Sequence, residues 1–142
     1  MKRLGIFTAV VAVLSIGLAS LSTSAGRPFR TQLTGEAEVG GGDSDGSGVA
    51  ELTLNPGRGE ICFKLTVSDI EAANAAHIHV GVAGQNGPAV VGLEAPADGT
   101  SDGCIAVDRD LVLRIMQNPD SFYVNIHNVP FPNGALRGQL GR

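Results

Sequence analysis

Residues 60–67 have the sequence EICFKLTV, and this stretch decides the fold class. Large apolar residues stand at the odd positions from Ile61 to Val67, and Cys62, Lys64 and Thr66 lie between them. A period of two places the two sets on opposite faces of a β-strand. The stretch therefore predicts a strand that packs on a core through its odd-numbered positions, as in an antiparallel sheet.

Other runs of the same character lie along the chain between glycine and proline turns. They predict further strands over residues 29–39, 48–55, 76–79, 88–93, 103–107, 121–128 and 135–140. Short strands separated by glycine and proline turns are typical of two packed sheets or a closed barrel. We therefore expect an all-β fold, an antiparallel β-sandwich or barrel of seven to eight strands.

One segment, residues 108–118, departs from the period of two. Asp108 is a suitable N-cap, and Pro119 follows the segment. Leu111 and Ile115 are spaced so that they share one face of a helix. We expect a single short helix here, packed on one end of the β-fold.

Residues 1–25 have the character of a signal peptide. Lys2 and Arg3 form a basic start, an almost uncharged apolar run follows over residues 4–18, and the small residues at 23–25 offer a cleavage site. The alternative is an uncleaved membrane anchor, although the run is short for a span of about 20 residues. We predict one domain over residues 26–142 that is secreted, periplasmic or on the cell surface, with no stable membrane span after cleavage.

The charge of the exported part argues against nucleic acid as a partner. Without Lys2 and Arg3, eight basic residues face fourteen acidic ones, so the formal charge is near −6. There is no basic cluster to neutralise phosphates, and Trp is absent. We expect the partner to be an extracytoplasmic protein or ligand, whose identity the sequence leaves open.

Two cysteines, Cys62 and Cys104, lie in the exported part, where thiols are oxidised. They are far apart in sequence and form no Cys-x-x-Cys motif, which argues against a thiolate metal site or a redox pair. We therefore expect one disulfide that joins a strand of the first half to a strand of the second.

All three histidines fall in two strand-like runs, AHIH at residues 76–79 and YVNIH at residues 123–127. Side chains two apart in a strand point the same way, so His77 and His79 share a face. Tyr123, Asn125 and His127 share a face for the same reason. If the two strands are neighbours, the three imidazoles converge.

Two interpretations of these histidines are open. Three neutral imidazoles are suitable ligands for one copper or zinc ion, which predicts a mononuclear metal site at His77, His79 and His127. Alternatively, the rings belong to a structural hydrogen-bond network with Tyr123 and Asn125. Arg137 in the last strand is a further candidate for such a network, paired with an Asp or Glu. The spacing of His77 and His79, two residues apart, favours the metal site. The neighbouring Asn125 and Tyr123 favour the hydrogen-bond network.

The glycine- and aspartate-rich residues 40–48 imitate two known motifs. The letters of residues 42–46 match a hydrolase nucleophile elbow, but no buried strand and helix flank them. The alternation of Asp43 and Asp45 imitates a calcium loop, but the twelfth position is Leu54 where a glutamate is needed. A flexible hairpin loop is the better interpretation. By contrast, residues 81–88 carry three glycines, which allow a close backbone approach.

Several linked motifs carry a family resemblance: AHIHVG at residues 76–81, GQNGP at 84–88, YVNIH at 123–127 and FPNGALRGQL at 131–140. Together they resemble the CHRD domain, which is named for its occurrence in chordin and also occurs as a stand-alone exported bacterial protein. The resemblance covers roughly residues 29–140. It implies an all-β extracellular domain, immunoglobulin-like (Greek-key) or barrel-like. The cysteine-rich modules that accompany the domain in animal growth-factor regulators are absent from this sequence, so growth-factor binding is not carried over.

We expect a binding module rather than an enzyme. A dinuclear imidazole-bridged site of the superoxide dismutase kind needs more than the three histidines of this chain. Hydrolysis at a mononuclear metal needs a general acid or base, and the carboxylates cluster in loops rather than beside the histidines.

Overall fold

The computed structural model describes residues 26–141, and the predicted signal peptide, residues 1–25, lies outside the described residues. The described chain is all-β apart from one α-helix and one short 3-10 helix. In chain order the elements are β1 (Arg27–Thr34), β2 (Ser47–Asn55), β3 (Glu60–Ser68), β4 (Ala73–Val80), β5 (Ala89–Leu93), β6 (Thr100–Ala106), α1 (Arg109–Gln117), the 3-10 helix (Pro119–Ser121), β7 (Phe122–Asn128) and β8 (Leu136–Gln139).

The eight strands form one antiparallel sheet in the order β5-β4-β7-β8-β1-β2-β3-β6. The edge strands β5 and β6 follow each other in the chain, joined by residues 94–99. A flat sheet of eight strands would separate its edges by about 33 Å, and the short connection reaches at most about 25 Å. The sheet is therefore curled and nearly closed, which confirms the predicted sandwich or barrel class.

The period of two defines the core as predicted. In β3 the side chains of Ile61, Phe63, Leu65 and Val67 are buried. In the central strands the core residues are Ala76 and Ile78 of β4, Val124 and Ile126 of β7, and Leu136 of β8. The residues that alternate with these in β4, β7 and β8 consequently point to the opposite face of the sheet.

The first strand is shorter than predicted. It ends at Thr34, not at Val39, because the chain turns there. The Thr34 hydroxyl accepts the Ala37 N–H, and the Gly35 carbonyl accepts the N–H groups of Glu38 and Gly42. Glu38, which lies within the predicted strand, is instead in this turn, and its side chain is buried.

The helix lies where the sequence predicts it. Asp108 accepts the backbone N–H groups of Asp110 and Leu111 and so caps α1. Val112 and Ile115 are fully buried, and Leu111 packs at the margin of the core.

The predicted disulfide is present. Cys62 of β3 and Cys104 of β6 are directly opposite in register and their sulfurs are bonded. The Glu60 carboxylate lies 3.6 Å from the Cys62 sulfur, but the bonded sulfurs are not thiolate ligands.

Among residues 26–141, no helix has the length and apolar character that a membrane crossing requires.

Candidate metal centre

The two histidine-bearing strands are neighbours, so the condition for convergence is met. β4 pairs with β7, with His77 opposite Asn125 and His79 opposite Tyr123. β8 pairs with the other edge of β7, with Arg137 opposite Asn125 and Gln139 opposite Tyr123. The side chains that share this face, which we call the polar face, are those of His77, His79, Tyr123, Asn125, His127, Arg137 and Gln139.

His79 has one nitrogen bound and the other unpaired. Its Nδ1 lies 2.8 Å from the Gly87 carbonyl oxygen. A carbonyl oxygen only accepts, so in the neutral ring Nδ1 carries the proton and Nε2 carries a lone pair. This Nε2 is buried and has no hydrogen-bond partner among the described residues. A buried acceptor without a donor is costly unless something at the site satisfies it.

His127 is oriented in the same way, through the loop that follows β7. Its Nδ1 lies 3.0 Å from the Pro132 carbonyl oxygen, which again leaves the lone pair on Nε2. The Nδ1 atom of His77 lies 3.3 Å from this Nε2. Two carbonyl groups therefore fix two of the three rings, as outer-shell partners do in known metal sites.

The three rings are close enough to share one ion. One ligand nitrogen from each of His77, His79 and His127 can be chosen so that all three lie within 4.8 Å of one another. Nitrogens bound tetrahedrally to zinc at about 2.0–2.1 Å are themselves about 3.3 Å apart. All three side chains are partly exposed, although the His79 Nε2 itself is buried.

The environment favours the neutral form of His77 and His127. Burial lowers the pKa of His77 below its ordinary value of 6.5, and the neighbouring His127 and His79 lower it further. Burial also lowers the pKa of His127, and His79 adds to this, although the hydrogen bond to Pro132 acts in the opposite direction. A neutral imidazole is the form that binds a metal ion, so the lowered pKa values of His77 and His127 favour metal binding.

Tyr123 and Asn125 lie beside the histidines, as the sequence predicts. The Tyr123 ring stacks on His79 at 4.8 Å between centroids, and its hydroxyl accepts the Gly87 N–H at 3.2 Å. Asn125 donates its amide to the carboxyl group of Glu38, and its Oδ1 is buried without a partner among the described residues. Burial raises the pKa of Glu38, while the Asn125 hydrogen bond and the positive charge of Arg137 partly offset this.

Arg137 has different partners from the expected Asp or Glu. Its guanidinium donates to the carbonyls of Val82 and Gln85 and to the side chains of Asn86 and Gln139. It is almost completely buried and lies over the Tyr123 ring, 3.5 Å from the centroid. Arg137 thus anchors the loop of residues 81–88 over the polar face.

Sequence reasoning missed three residues that complete the site: Glu38, Gly87 and Pro132. Two of them act through backbone carbonyls, which no side-chain motif marks. The glycines of residues 81–88 did indicate a close approach, and a Cβ atom at Gly87 would lie 1.7 Å from the Val80 carbonyl oxygen.

Comparison with known families agrees with the motifs on these strands and loops. The family model described as CHRD domain matches residues 29–140, most of the chain. The chain belongs to the CHRD domain family. No curated protein and no solved structure matches it. The polar face of this CHRD domain, with the loops that cover it, falls within the matched segment.

Proposed function

We propose that this CHRD domain is an exported protein that binds one copper or zinc ion through His77, His79 and His127. The observation that carries the proposal is the buried, unpartnered Nε2 of His79, held beside two further imidazoles. A bound ion would satisfy this lone pair. No other described residue pairs with it, and a buried acceptor left unpaired costs about 1–3 kcal/mol.

The outer partners support the same conclusion. The carbonyls of Gly87 and Pro132 select the tautomers of His79 and His127 that present Nε2 to an ion. Imidazole nitrogens suit both zinc and copper, and three of them leave a position for a further ligand. Export is a part of the proposal that rests on the leader-like residues 1–25 and on the disulfide.

A second candidate function is a metal-free interaction module for an extracytoplasmic protein or ligand. The observation that favours it is the presence of an exposed valine on each of three loops, Val39, Val82 and Val129. These loops adjoin the polar face, since they contain Glu38, Gly87 and Pro132. Binding residues are often carried on loops that a rigid scaffold holds in place.

Isothermal titration with zinc and with copper(II) tests the metal proposal. The chelator-treated wild type is expected to bind one ion per chain, and His79→Ala to bind at least about 100-fold more weakly. The double variant Asp43→Asn, Asp45→Asn is the matched control for ions held by loop carboxylates, and it should bind as the wild type does. Equal binding by wild type and a folded His79→Ala would refute the metal site and favour the interaction module.

A further inference from the structure

The Tyr123 ring is sandwiched between a proposed metal ligand and a buried cation. On one side it stacks on His79 with 10° between the ring planes, and on the other it carries the Arg137 guanidinium. Tyr123 and Arg137 are both nearly inaccessible to solvent. The positive charge of Arg137 therefore lies one aromatic ring away from the proposed ligand.

This charge is permanent and fixed in place. A guanidinium does not lose its proton in proteins. Its Nη2 donates to the carbonyls of Val82 and Gln85 and to the side chain of Gln139, which also accepts from its Nε. The charge consequently contributes the same positive potential at the histidines at every physiological pH.

The histidines bring no negative charge to balance an ion. Neither a carboxylate nor a thiolate belongs to the group of His77, His79 and His127. Glu38 is an acid on this side of the sheet, where its carboxyl group accepts a hydrogen bond from Asn125. Burial raises the pKa of Glu38, and the Asn125 hydrogen bond and the charge of Arg137 lower it. Other carboxylates such as Glu36 are exposed on the loops, where solvent and salt screen them.

We propose, on the basis of the metal function proposed above, that the site prefers monovalent copper to copper(II), and that Arg137 is the residue that sets this preference. An ion in a site of neutral ligands keeps its full charge, so partial burial and a nearby cation disfavour the divalent state more than the monovalent one. At an effective dielectric constant of 20, a unit charge about 10 Å away changes the ratio of the two affinities by roughly tenfold.

The test compares the dissociation constants of copper(I) and copper(II) in competition with chromophoric chelators, with ascorbate and exclusion of oxygen for copper(I). Arg137→Gln removes the cation, and Glu38→Gln removes the opposing carboxylate while its amide oxygen still accepts from Asn125. Arg137→Lys keeps the charge. Because the readout is a ratio of two affinities in one protein, a loss of binding through poor folding affects both and cancels.

The wild type is expected to bind copper(I) more tightly than copper(II). In Arg137→Gln the ratio should move toward copper(II) by about tenfold, which is about 59 mV in a one-electron potential. In Glu38→Gln it should move the opposite way, and in Arg137→Lys it should stay within about threefold of wild type.

Three results would overturn the inference. The first is tighter binding of copper(II) than of copper(I) by the wild type. The second is an affinity ratio that Arg137→Gln and Glu38→Gln leave unchanged or shift in the same direction. The third is an affinity ratio that Arg137→Lys shifts as far as Arg137→Gln does. In each case an ion still binds at the histidines, so the proposed metal site would stand. Failure of the wild type to bind either copper ion would overturn this inference, and failure to bind zinc as well would refute the metal site.

Discussion

His79 and Gly87 are joined by a hydrogen bond of 2.8 Å from the ring Nδ1 to the backbone carbonyl oxygen, across the loop that links β4 to β5. The bond fixes the ring orientation and the tautomer and directs the lone pair of Nε2 away from the loop. The same peptide region binds the Tyr123 hydroxyl through the Gly87 N–H. Gly87 thus positions both a proposed ligand and the ring that supports it.

Gly87→Ala should weaken metal binding without removing a ligand. A Cβ atom there would lie 1.7 Å from the Val80 carbonyl oxygen, so the backbone must move and the His79 anchor with it. We expect an affinity loss of about 10- to 100-fold, as for other outer-shell changes, measured by zinc titration. Gly92→Ala is the matched control, because Gly92 pairs with His77 in register and its Cβ would meet no atom within 4 Å. Equal effects of the two substitutions would contradict this role of Gly87.

Glu38→Gln should stabilise the metal-free protein near neutral pH. Burial raises the pKa of Glu38 in the folded state above the ordinary value of 4.5. As the pH rises from about 4, the unfolded chain therefore ionises first, and the wild type loses stability until the folded carboxyl ionises as well. The gain in the free energy of unfolding should accordingly be larger at pH 7 than at pH 4 in urea titrations.

The control for this prediction is Glu36→Gln, two residues away and exposed. It should change the free energy of unfolding by no more than about 0.5 kcal/mol at either pH. A gain for Glu38→Gln that is independent of pH would mean that ionisation of Glu38 is not its cause.

The disulfide should stabilise the fold without affecting the metal site. The cross-link between Cys62 and Cys104 spans 42 residues, and a closed loop of this length corresponds to about 4 kcal/mol in the chain-entropy model. The bond joins β3 to β6, and neither of these strands carries a residue of the polar face.

We therefore expect Cys62→Ser, Cys104→Ser to lower the free energy of unfolding by about 2–4 kcal/mol and to keep the zinc affinity. Urea unfolding of both proteins measures the first effect, and titration at a temperature where both are folded measures the second. A variant that is folded but has lost zinc binding would show that the disulfide and the polar face are coupled.

Local patterns predicted the elements that local interactions determine. The alternation of residues 60–67 identified β3 and its buried face, and Asp108 marked the start of α1 because its side chain caps the helix directly. The first strand was predicted to be too long, because the alternation of apolar and polar residues continues past Thr34. A turn bonded through the Gly35 carbonyl ends the strand there, and alternation alone does not reveal it.

The site was predictable in its side chains but not in its supporting contacts. The alternation of side chains in a strand placed His77 and His79 on one face of β4 and His127 on one face of β7. The pairing of β4 with β7 brought the three histidines together. Glu38 is 87 residues from Asn125, and its segment has an ordinary loop composition, so nothing local marked it for burial. For Arg137 the charge suggested a carboxylate, whereas the fold supplies carbonyl oxygens from residues 82 and 85.

Elemental analysis of the protein, purified from its native cells without chelators, tests whether the three histidines hold a metal ion. The comparison is the triple variant in which His77, His79 and His127 are all changed to Ala, with its fold checked by circular dichroism. The account predicts close to one copper or zinc per chain in the wild type and none in the folded variant. Absence of metal from the wild type, together with reduced stability of the variant, would contradict it and assign the three histidines to the fold.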